Sequence, residues 1–131
     1  MIRFLLPLLI AATPSMAQMT DAASVKPILT ATKANWVAVR KWDGQDLIYF
    51  THLETWRCVL DGVVYGLNGE SPETEWELAP CDENNPNALP ADYLPYIGVD
   101  LDSVQSITVD ILYDDGSTDT ATYDRASIEI Q

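Results

Sequence analysis

The sequence predicts a mainly β protein: a small antiparallel sandwich or open barrel of about six or seven short strands, stapled by one disulfide. Three observations support this fold class. Short segments alternate between apolar and polar residues, Asp-Gly and Asn-Gly turn signals separate them, and the chain contains two cysteines. An α+β fold with one short helix near residues 52–60 is the alternative. An apolar content of 47% over 131 residues suits one hydrophobic core, so we expect a single domain over residues 35–131.

The first 17 residues have the features of a cleaved export signal. Arg3 gives a positive start, residues 4–12 are apolar, and Ser15-Met16-Ala17 is a small-x-small cleavage site. Nine apolar residues are too few to span a bilayer, which takes about 20 helical residues, so we expect no membrane insertion. The compact signal and the lack of an Asn-x-Ser/Thr acceptor favour a bacterial periplasm over extracellular release.

The next segment, residues 18–34, is rich in Ala, Ser and Thr and carries Pro27. It predicts a flexible N-terminal arm with at most a helical turn over residues 21–26. From Asn35 the pattern has period two, which predicts a hairpin of residues 35–42 with residues 46–51, turned by Asp43-Gly44.

The segment after this hairpin allows two interpretations. Thr51-His52-Leu53-Glu54 has the form of a helix capping box, and Leu53, Trp56 and Leu60 have helical spacing. The residues that follow, Thr55 to Val59, also suit a strand. We favour a strand broken near Glu54 and keep the helix as the alternative.

The second half of the chain predicts further strands. Residues 63–67 and 74–78 form two, with Thr74, Trp76 and Leu78 facing the core and Glu73, Glu75 and Glu77 facing solvent. A proline-rich connection covers residues 80–95, where Tyr93 and Tyr96 are candidates to pin it. Residues 104–113 and 118–123 predict a closing hairpin, and Ile128 and Ile130 a last short strand.

Cys58 and Cys81 are the only cysteines, which in an exported chain predicts a disulfide. A redox or nucleophilic pair would favour the two-residue spacing of a Cys-x-x-Cys motif, whereas 22 residues separate these two. The spacing therefore favours a structural bridge.

The formal net charge is −13, and residues 61–131 contain sixteen acidic side chains with Arg125 as the single basic one. Such a negative field repels phosphate backbones and anionic lipids, which disfavours nucleic-acid binding. An envelope protein or a glycan is the partner we expect, and the sequence does not indicate an oligomeric state.

The sequence offers little support for catalysis. His52 is the single histidine, which rules out zinc sites with two or three histidines, and no Gly-x-Ser-x-Gly elbow accompanies it. We expect His52 to be a partly exposed residue at a strand end or in a turn. A small hydrolase that uses a carboxylate pair is kept as an alternative function, although the three glutamates of residues 73–77 fit a solvated strand face better.

Calcium is the one metal that the composition allows, because Asp, Asn and backbone oxygens are its ligands. Asp114, Asp115 and Asp119 on the closing hairpin are candidate ligands, as is the Asp82-Glu83-Asn84-Asn85 segment. Neither has EF-hand spacing, and no other cofactor is expected. A calcium-stabilised structural accessory protein is therefore a further alternative.

An aromatic stripe is the best candidate binding surface. If Val37 and Val39 face the core, Trp36, Arg40 and Trp42 lie on the opposite face of the strand. Arg40 and Trp42, two residues apart, are spaced for a cation–π pair, and Trp and Arg dominate binding hot spots. The sequence thus predicts a non-catalytic binding or interaction module.

Overall fold

The computed structural model describes residues 20–131, which form eight strands and three α-helices. The strands build two four-stranded sheets. The strands are β1 (Ala38–Trp42), β2 (Gln45–Tyr49), β3 (Leu60–Leu67), β4 (Thr74–Trp76), β5 (Tyr96–Asp100), β6 (Ser106–Tyr113), β7 (Thr118–Asp124) and β8 (Glu129–Ile130). The helices are α1 (Ala22–Ala31), α2 (Thr51–Thr55) and α3 (Arg125–Ile128). The predicted mainly β, sandwich-like fold is confirmed, with more strands than expected.

The first sheet has the strand order β5-β2-β1-β8. Its centre is the predicted hairpin, in which Trp42 pairs with Gln45 across a two-residue turn. Asp43 and Gly44 both have positive φ, 50° and 75°, as the tight hairpin turn requires. Strand β8, predicted around Ile128 and Ile130, pairs in parallel with β1.

The second sheet has the order β4-β3-β6-β7, and all three of its pairings are antiparallel. Its β6–β7 hairpin is the predicted closing hairpin. On β4, Trp76 is buried and the glutamates at 73, 75 and 77 are exposed, as expected. Thr74 is exposed rather than in the core, because β4 is a short edge strand.

The core lies between the two sheets. Val39 and Ile48 of the first sheet and Val63 and Val109 of the second have no exposed surface. Phe50 stacks on Trp76 with ring centroids 4.3 Å apart, which brings the end of β2 against β4. The predicted disulfide is also present, joining Cys58 to Cys81.

Helix α1 replaces the flexible arm predicted over residues 18–34. The Asp21 side chain caps the helix by accepting a hydrogen bond from Ser24 N, at 2.7 Å. Val25 and Leu29, four residues apart, are fully buried. The prediction of a flexible arm was wrong. The helix is stabilised by the packing of these buried residues on the core, and the composition of the segment does not reveal that contact.

The segment after the first hairpin is helical, so the strand favoured for residues 55–59 was wrong and the short-helix alternative is confirmed. Helix α2 is followed by a 3₁₀ turn at Arg57–Val59, and β3 begins only at Leu60. Helical spacing buries Leu53, Glu54 and Arg57 on one side. Thr51 does not cap this helix, since Phe50 holds the N-cap position.

The segment between the proline-rich connection and the closing hairpin contains a strand that the sequence analysis did not predict. Strand β5 pairs with β2 along its whole length. The predicted export signal lies outside the described residues. None of the helices within residues 20–131 is long and apolar enough to cross a lipid bilayer.

Candidate functional site: an aromatic sheet face

The outer face of the first sheet carries the most distinctive exposed side chains of the protein. Val39 and Ile48 point into the core, so their neighbours along each strand point outward. Strand register then places three rows of residues side by side. We call this surface the aromatic face; its rows are Ala38–Tyr49–Tyr96, Arg40–Leu47–Gly98 and Trp42–Gln45–Asp100.

Arg40 and Trp42 form the predicted cation–π pair. The guanidinium carbon lies 4.3 Å from the centre of the Trp42 ring. The Trp42 side chain is 56% exposed, which is unusual for so large an apolar residue. Stacking on Arg40 fixes the ring against the sheet, so Trp42 presents a preorganised apolar surface to solvent.

Trp36 does not belong to this surface, and its predicted exposure is wrong. Strand β1 begins at Ala38, so the period-two alternation does not extend back to Trp36. Its backbone is helical, with φ −60° and ψ −41°, and the side chain is fully buried beneath α1. The indole Nε1 donates a hydrogen bond to the Leu29 carbonyl oxygen at 2.9 Å. Trp36 is therefore a core residue.

Tyr49 and Tyr96 complete the aromatic face, although sequence analysis did not nominate either as a binding residue. Their ring centroids are 5.2 Å apart, at an interplanar angle of 49°. The sequence predicts no strand at Tyr96, so it gives no indication that this residue lies beside Tyr49. Tyr49 had a signal in the sequence: a two-residue hairpin turn after Trp42 pairs Tyr49 with Ala38, on the same face as Arg40.

A shallow depression of about 350 Å³ adjoins the Ala38–Tyr49 end of this face and is bordered by His52. His52 is half-buried in α2, not in a turn, and its Nε2 lies 2.8 Å from Thr32 Oγ1. Burial lowers the pKa of the imidazole. Thr32 Oγ1 also donates to the Ile28 carbonyl, so His52 ties α2 to the end of α1.

The carboxylate of Glu54 is fully buried and held by protein donors. It accepts hydrogen bonds from Trp76 Nε1 at 3.0 Å, from the Ala79 backbone N–H and from the Tyr93 hydroxyl. The single Tyr93 hydroxyl proton is shared between Glu54 and the Glu77 carbonyl oxygen, so Tyr93 pins the proline-rich connection as predicted. Burial, with the negative charge of Glu54 beside it, raises the pKa of the Tyr93 hydroxyl.

Arg57, a buried residue three positions after Glu54, forms a second set of hydrogen bonds. Its guanidinium donates to the carbonyl oxygens of Pro80, Glu54 and Ala88 at 2.8 to 3.0 Å. These bonds, together with the neighbouring disulfide, hold the connection on α2. The second buried carboxylate, Asp46, is bound by Arg125. Both buried carboxylates thus have structural partners, and their geometry gives no support to the hydrolase alternative.

The three candidate calcium ligands of the closing hairpin do not converge. Asp115 pairs with Lys26 of α1, and Asp119 pairs with Lys33 at 2.7 Å. Asp114 is exposed. Within residues 20–131, no group of three or more His, Cys, Asp or Glu side chains is placed to hold a metal ion. Calcium binding stays a prediction, and the lysine pairs give Asp115 and Asp119 another role.

The aromatic face therefore stands as the candidate functional site: Trp42 and Arg40 from β1, Tyr49 from β2 and Tyr96 from β5. Comparison with known proteins adds no family to this geometry, since no family model, no curated protein and no solved structure matches the chain.

Proposed function

We propose that this protein is a non-catalytic binding module that uses the aromatic face to hold a partner protein. The observation that supports this most strongly is the exposed Trp42 ring, stacked on Arg40 and flanked by the Tyr49–Tyr96 pair. Trp, Tyr and Arg are the three residue types that supply most of the binding energy at protein interfaces.

The shape of the surface favours a protein over a small molecule. It is the broad face of a sheet built from three adjacent strands rather than an enclosed cavity. Small ligands need concave sites that bury most of their surface. A flat face with preordered aromatic side chains instead matches the apolar centre of a protein interface.

Acidic residues at one end of the face define the rim of the proposed interface. Asp100 lies in the same row as Trp42, and Asp43 follows Trp42 in the hairpin turn. Both are exposed, and neither forms an ion pair with any residue in the described part of the chain. We infer a partner with apolar side chains at the contact centre and lysine or arginine at this rim.

The proposed site of action is outside the cytoplasm, with the bacterial periplasm favoured. The export-like N-terminus and the Cys58–Cys81 disulfide support this, because disulfides persist in oxidising compartments. The partner is then an envelope protein.

The experiment is a capture followed by a purified reconstitution. The oxidised chain of residues 18–131 is immobilised, exposed to envelope extract, washed at low and at high salt, and the retained proteins are identified by mass spectrometry. Each one is then purified, and its Kd is measured against the wild type, Trp42→Ala and Tyr49→Ala. We expect Trp42→Ala to weaken binding by about 30-fold, the loss of a typical hot spot, while binding survives high salt.

Leu112→Ala is the matched control, because Leu112 is also an exposed large apolar residue, at 39%, but lies on β6 in the other sheet. It should bind like the wild type. Equal affinity of the wild type and both aromatic-face variants would refute the proposal. A glycan that competes for the face, detected by quenching of Trp42 fluorescence in a polysaccharide panel, would replace the protein partner with a carbohydrate.

A further inference from the structure

The second sheet carries a different surface on its outer side, which the aromatic face does not explain. Gly62 and Val64 of β3 point outward there, in register with Leu112 and Asp110 of β6. A depression of about 300 Å³ lies over them, with Thr118 at its far side. We call this depression the acidic trough; it is lined by Gly62, Val64, Asp110, Leu112 and Thr118.

The floor of the trough is apolar and stays open to solvent. Gly62 has no side chain, and a Cβ added there would meet nothing within 4 Å. Val64 is half-buried, and Leu112 is 39% exposed. At the next outward position of β3, Gly66, the backbone of Glu70 and Ser71 closes over the strand. The trough therefore has a closed end at Gly66 and an open floor at Gly62 and Val64.

Carboxylates stand on both sides of this floor. Val64 pairs with Glu75 of β4 on one side and with Asp110 of β6 on the other. Neighbouring strands are about 4.8 Å apart, so a cation above Val64 would lie within side-chain reach of both carboxylates. Neither Glu75 nor Asp110 forms an ion pair within residues 20–131. The nearby Asp119 is already neutralised by Lys33.

From this combination we propose that the acidic trough is a second docking surface, and that its occupant is a lysine- or arginine-rich segment of another protein. Long basic side chains have an apolar stem and a charged head. The stem would rest on Val64 and Leu112 while the head group reaches Glu75 and Asp110. Charge complementarity selects the occupant, since an acidic or phosphorylated segment would be repelled by the same carboxylates.

This inference does not depend on the aromatic face, which lies on the other sheet. The two surfaces also differ in chemistry. Binding at the aromatic face is centred on apolar contact, whereas binding at the acidic trough rests on the carboxylates of Glu75, which is exposed, and Asp110, which is half-buried, and weakens as salt rises. Together they would let one small domain bridge two partners.

The test uses a fluorescein-labelled octapeptide of alternating lysine and serine, with a glutamine-serine peptide as its neutral counterpart. Binding to the oxidised protein is followed by fluorescence anisotropy at two salt concentrations, and the site is located from amide NMR shifts. We expect saturable binding of the lysine peptide alone, with shifts at Val64 and Leu112. The double variant Glu75→Gln/Asp110→Asn should weaken it about tenfold, as loss of two charge contacts implies.

A second double variant, Glu83→Gln/Asp92→Asn, removes the same charge from exposed positions in the proline-rich connection. It should leave the affinity within about twofold of the wild type, since long-range charge effects are screened in salt. Equal weakening by both double variants would overturn the proposal, because it would show general attraction to an acidic protein. Absence of saturable binding up to about 1 mM peptide would overturn it too. Trp42→Ala, which disables only the aromatic face, should bind the peptide normally.

Discussion

Arg125 forms a two-pronged ion pair with Asp46, in which Nη1 lies 2.6 Å from Oδ2 and Nη2 lies 3.1 Å from Oδ1. Asp46 is fully buried in β2 and also accepts hydrogen bonds from the backbone N–H groups of Asp102 and Val104. One carboxylate thus joins β2, the connection between β5 and β6, and the start of α3. Arg125 is the single basic residue of the chain beyond residue 60, and its charge is paired with a buried carboxylate.

Replacement of Asp46 by Asn should lower the free energy of unfolding by about 3 kcal/mol, because it breaks a buried ion pair and leaves Arg125 poorly compensated. Urea titration followed by tryptophan fluorescence measures this loss. Asp102→Asn is the control: Asp102 pairs with Lys41 on the surface, where a salt bridge contributes at most about 1 kcal/mol. Equal effects of the two substitutions would contradict the structural role of Asp46.

The same ion pair gives a pH dependence at the acid end. Hydrogen bonds from Arg125 lower the pKa of Asp46 to about 2, below the value of 3.8 for a free aspartate. A lowered folded-state pKa contributes stability above the unfolded pKa and loses it as the pH falls towards 2. The contribution is about 2 kcal/mol. Asp46→Asn should therefore flatten the stability profile between pH 4 and 2, as measured by chemical denaturation at each pH.

Trp36 and Trp42 should respond in opposite ways to truncation. Trp36→Ala leaves a cavity and an unpaired Leu29 carbonyl beneath α1, so we expect a loss of about 4 kcal/mol. Trp42→Ala removes an exposed ring and should change stability by less than about 1 kcal/mol. The melting temperatures of the two variants test this prediction. A lower melting temperature for Trp42→Ala than for Trp36→Ala would contradict the assignment of Trp36 to the core.

Gly66 should tolerate no side chain. A Cβ there would clash with the backbone of Glu70 and Ser71, so Gly66→Ala must displace the turn after β3. We expect a loss of about 3 kcal/mol, at the upper end for overpacking. Gly62→Ala, four residues earlier on the same strand, has free space and should cost less than about 1 kcal/mol. Comparable melting temperatures for the two variants would contradict the close backbone approach.

His52 should make the protein less stable in mild acid. Its folded-state pKa lies below 6.5, so the unfolded chain binds the proton more tightly and stability falls as the pH drops through and below 6.5. His52→Gln, which keeps a polar group near Thr32, should remove this slope between pH 7.5 and 5. The melting temperature of the wild type and the variant over that range is the measurement. If the melting temperatures of the wild type and His52→Gln fell in parallel with pH, a group other than His52 would be responsible for the loss.

Loss of the disulfide should weaken the fold and release the proline-rich connection. The bridge closes a loop with a sequence separation of 23 residues, for which the chain-entropy argument gives about 3 kcal/mol. Cys58→Ser/Cys81→Ser, or reduction of the wild type, should lower the unfolding midpoint in urea. Hydrogen exchange should increase most over residues 82–95, where the hydrogen bonds of Arg57 and Tyr93 would still hold the connection. An equal increase of hydrogen exchange over the whole domain would show that the disulfide does not act mainly on residues 82–95.

The hairpins were the part of the fold that local sequence determined. Asp43-Gly44 and Gly116 occupy positions with positive φ, and the alternating residues on each side leave one register available. The hairpin after residue 35 also placed Arg40 and Trp42 together on one face, and this half of the candidate site was predictable.

The features that could not be predicted from the sequence depend on contacts between residues that are distant along the chain. Glu54 and Arg57 have the composition of a surface helix, yet their partners Trp76, Tyr93 and Ala88 come from elsewhere in the chain. Tyr96 became part of the aromatic face only through pairing of β5 with β2, across a connection with no strand pattern of its own. Trp36 was misplaced because the alternation was extended two residues before the strand begins.

The way α1 meets β7 has a consequence for self-association. Strand β7 is the outermost strand of its sheet, and such a strand offers unpaired backbone groups on which a second copy could grow. Here Lys33 donates to the Thr120 carbonyl oxygen at 3.0 Å, and the Tyr123 hydroxyl donates to the Lys33 carbonyl. The residues just after α1 therefore occupy part of the β7 edge and leave fewer free backbone groups with which a second copy could pair. A proteolytic nick in this region would do more than loosen a terminus, because it would also release the contacts that cover the outer edge of β7.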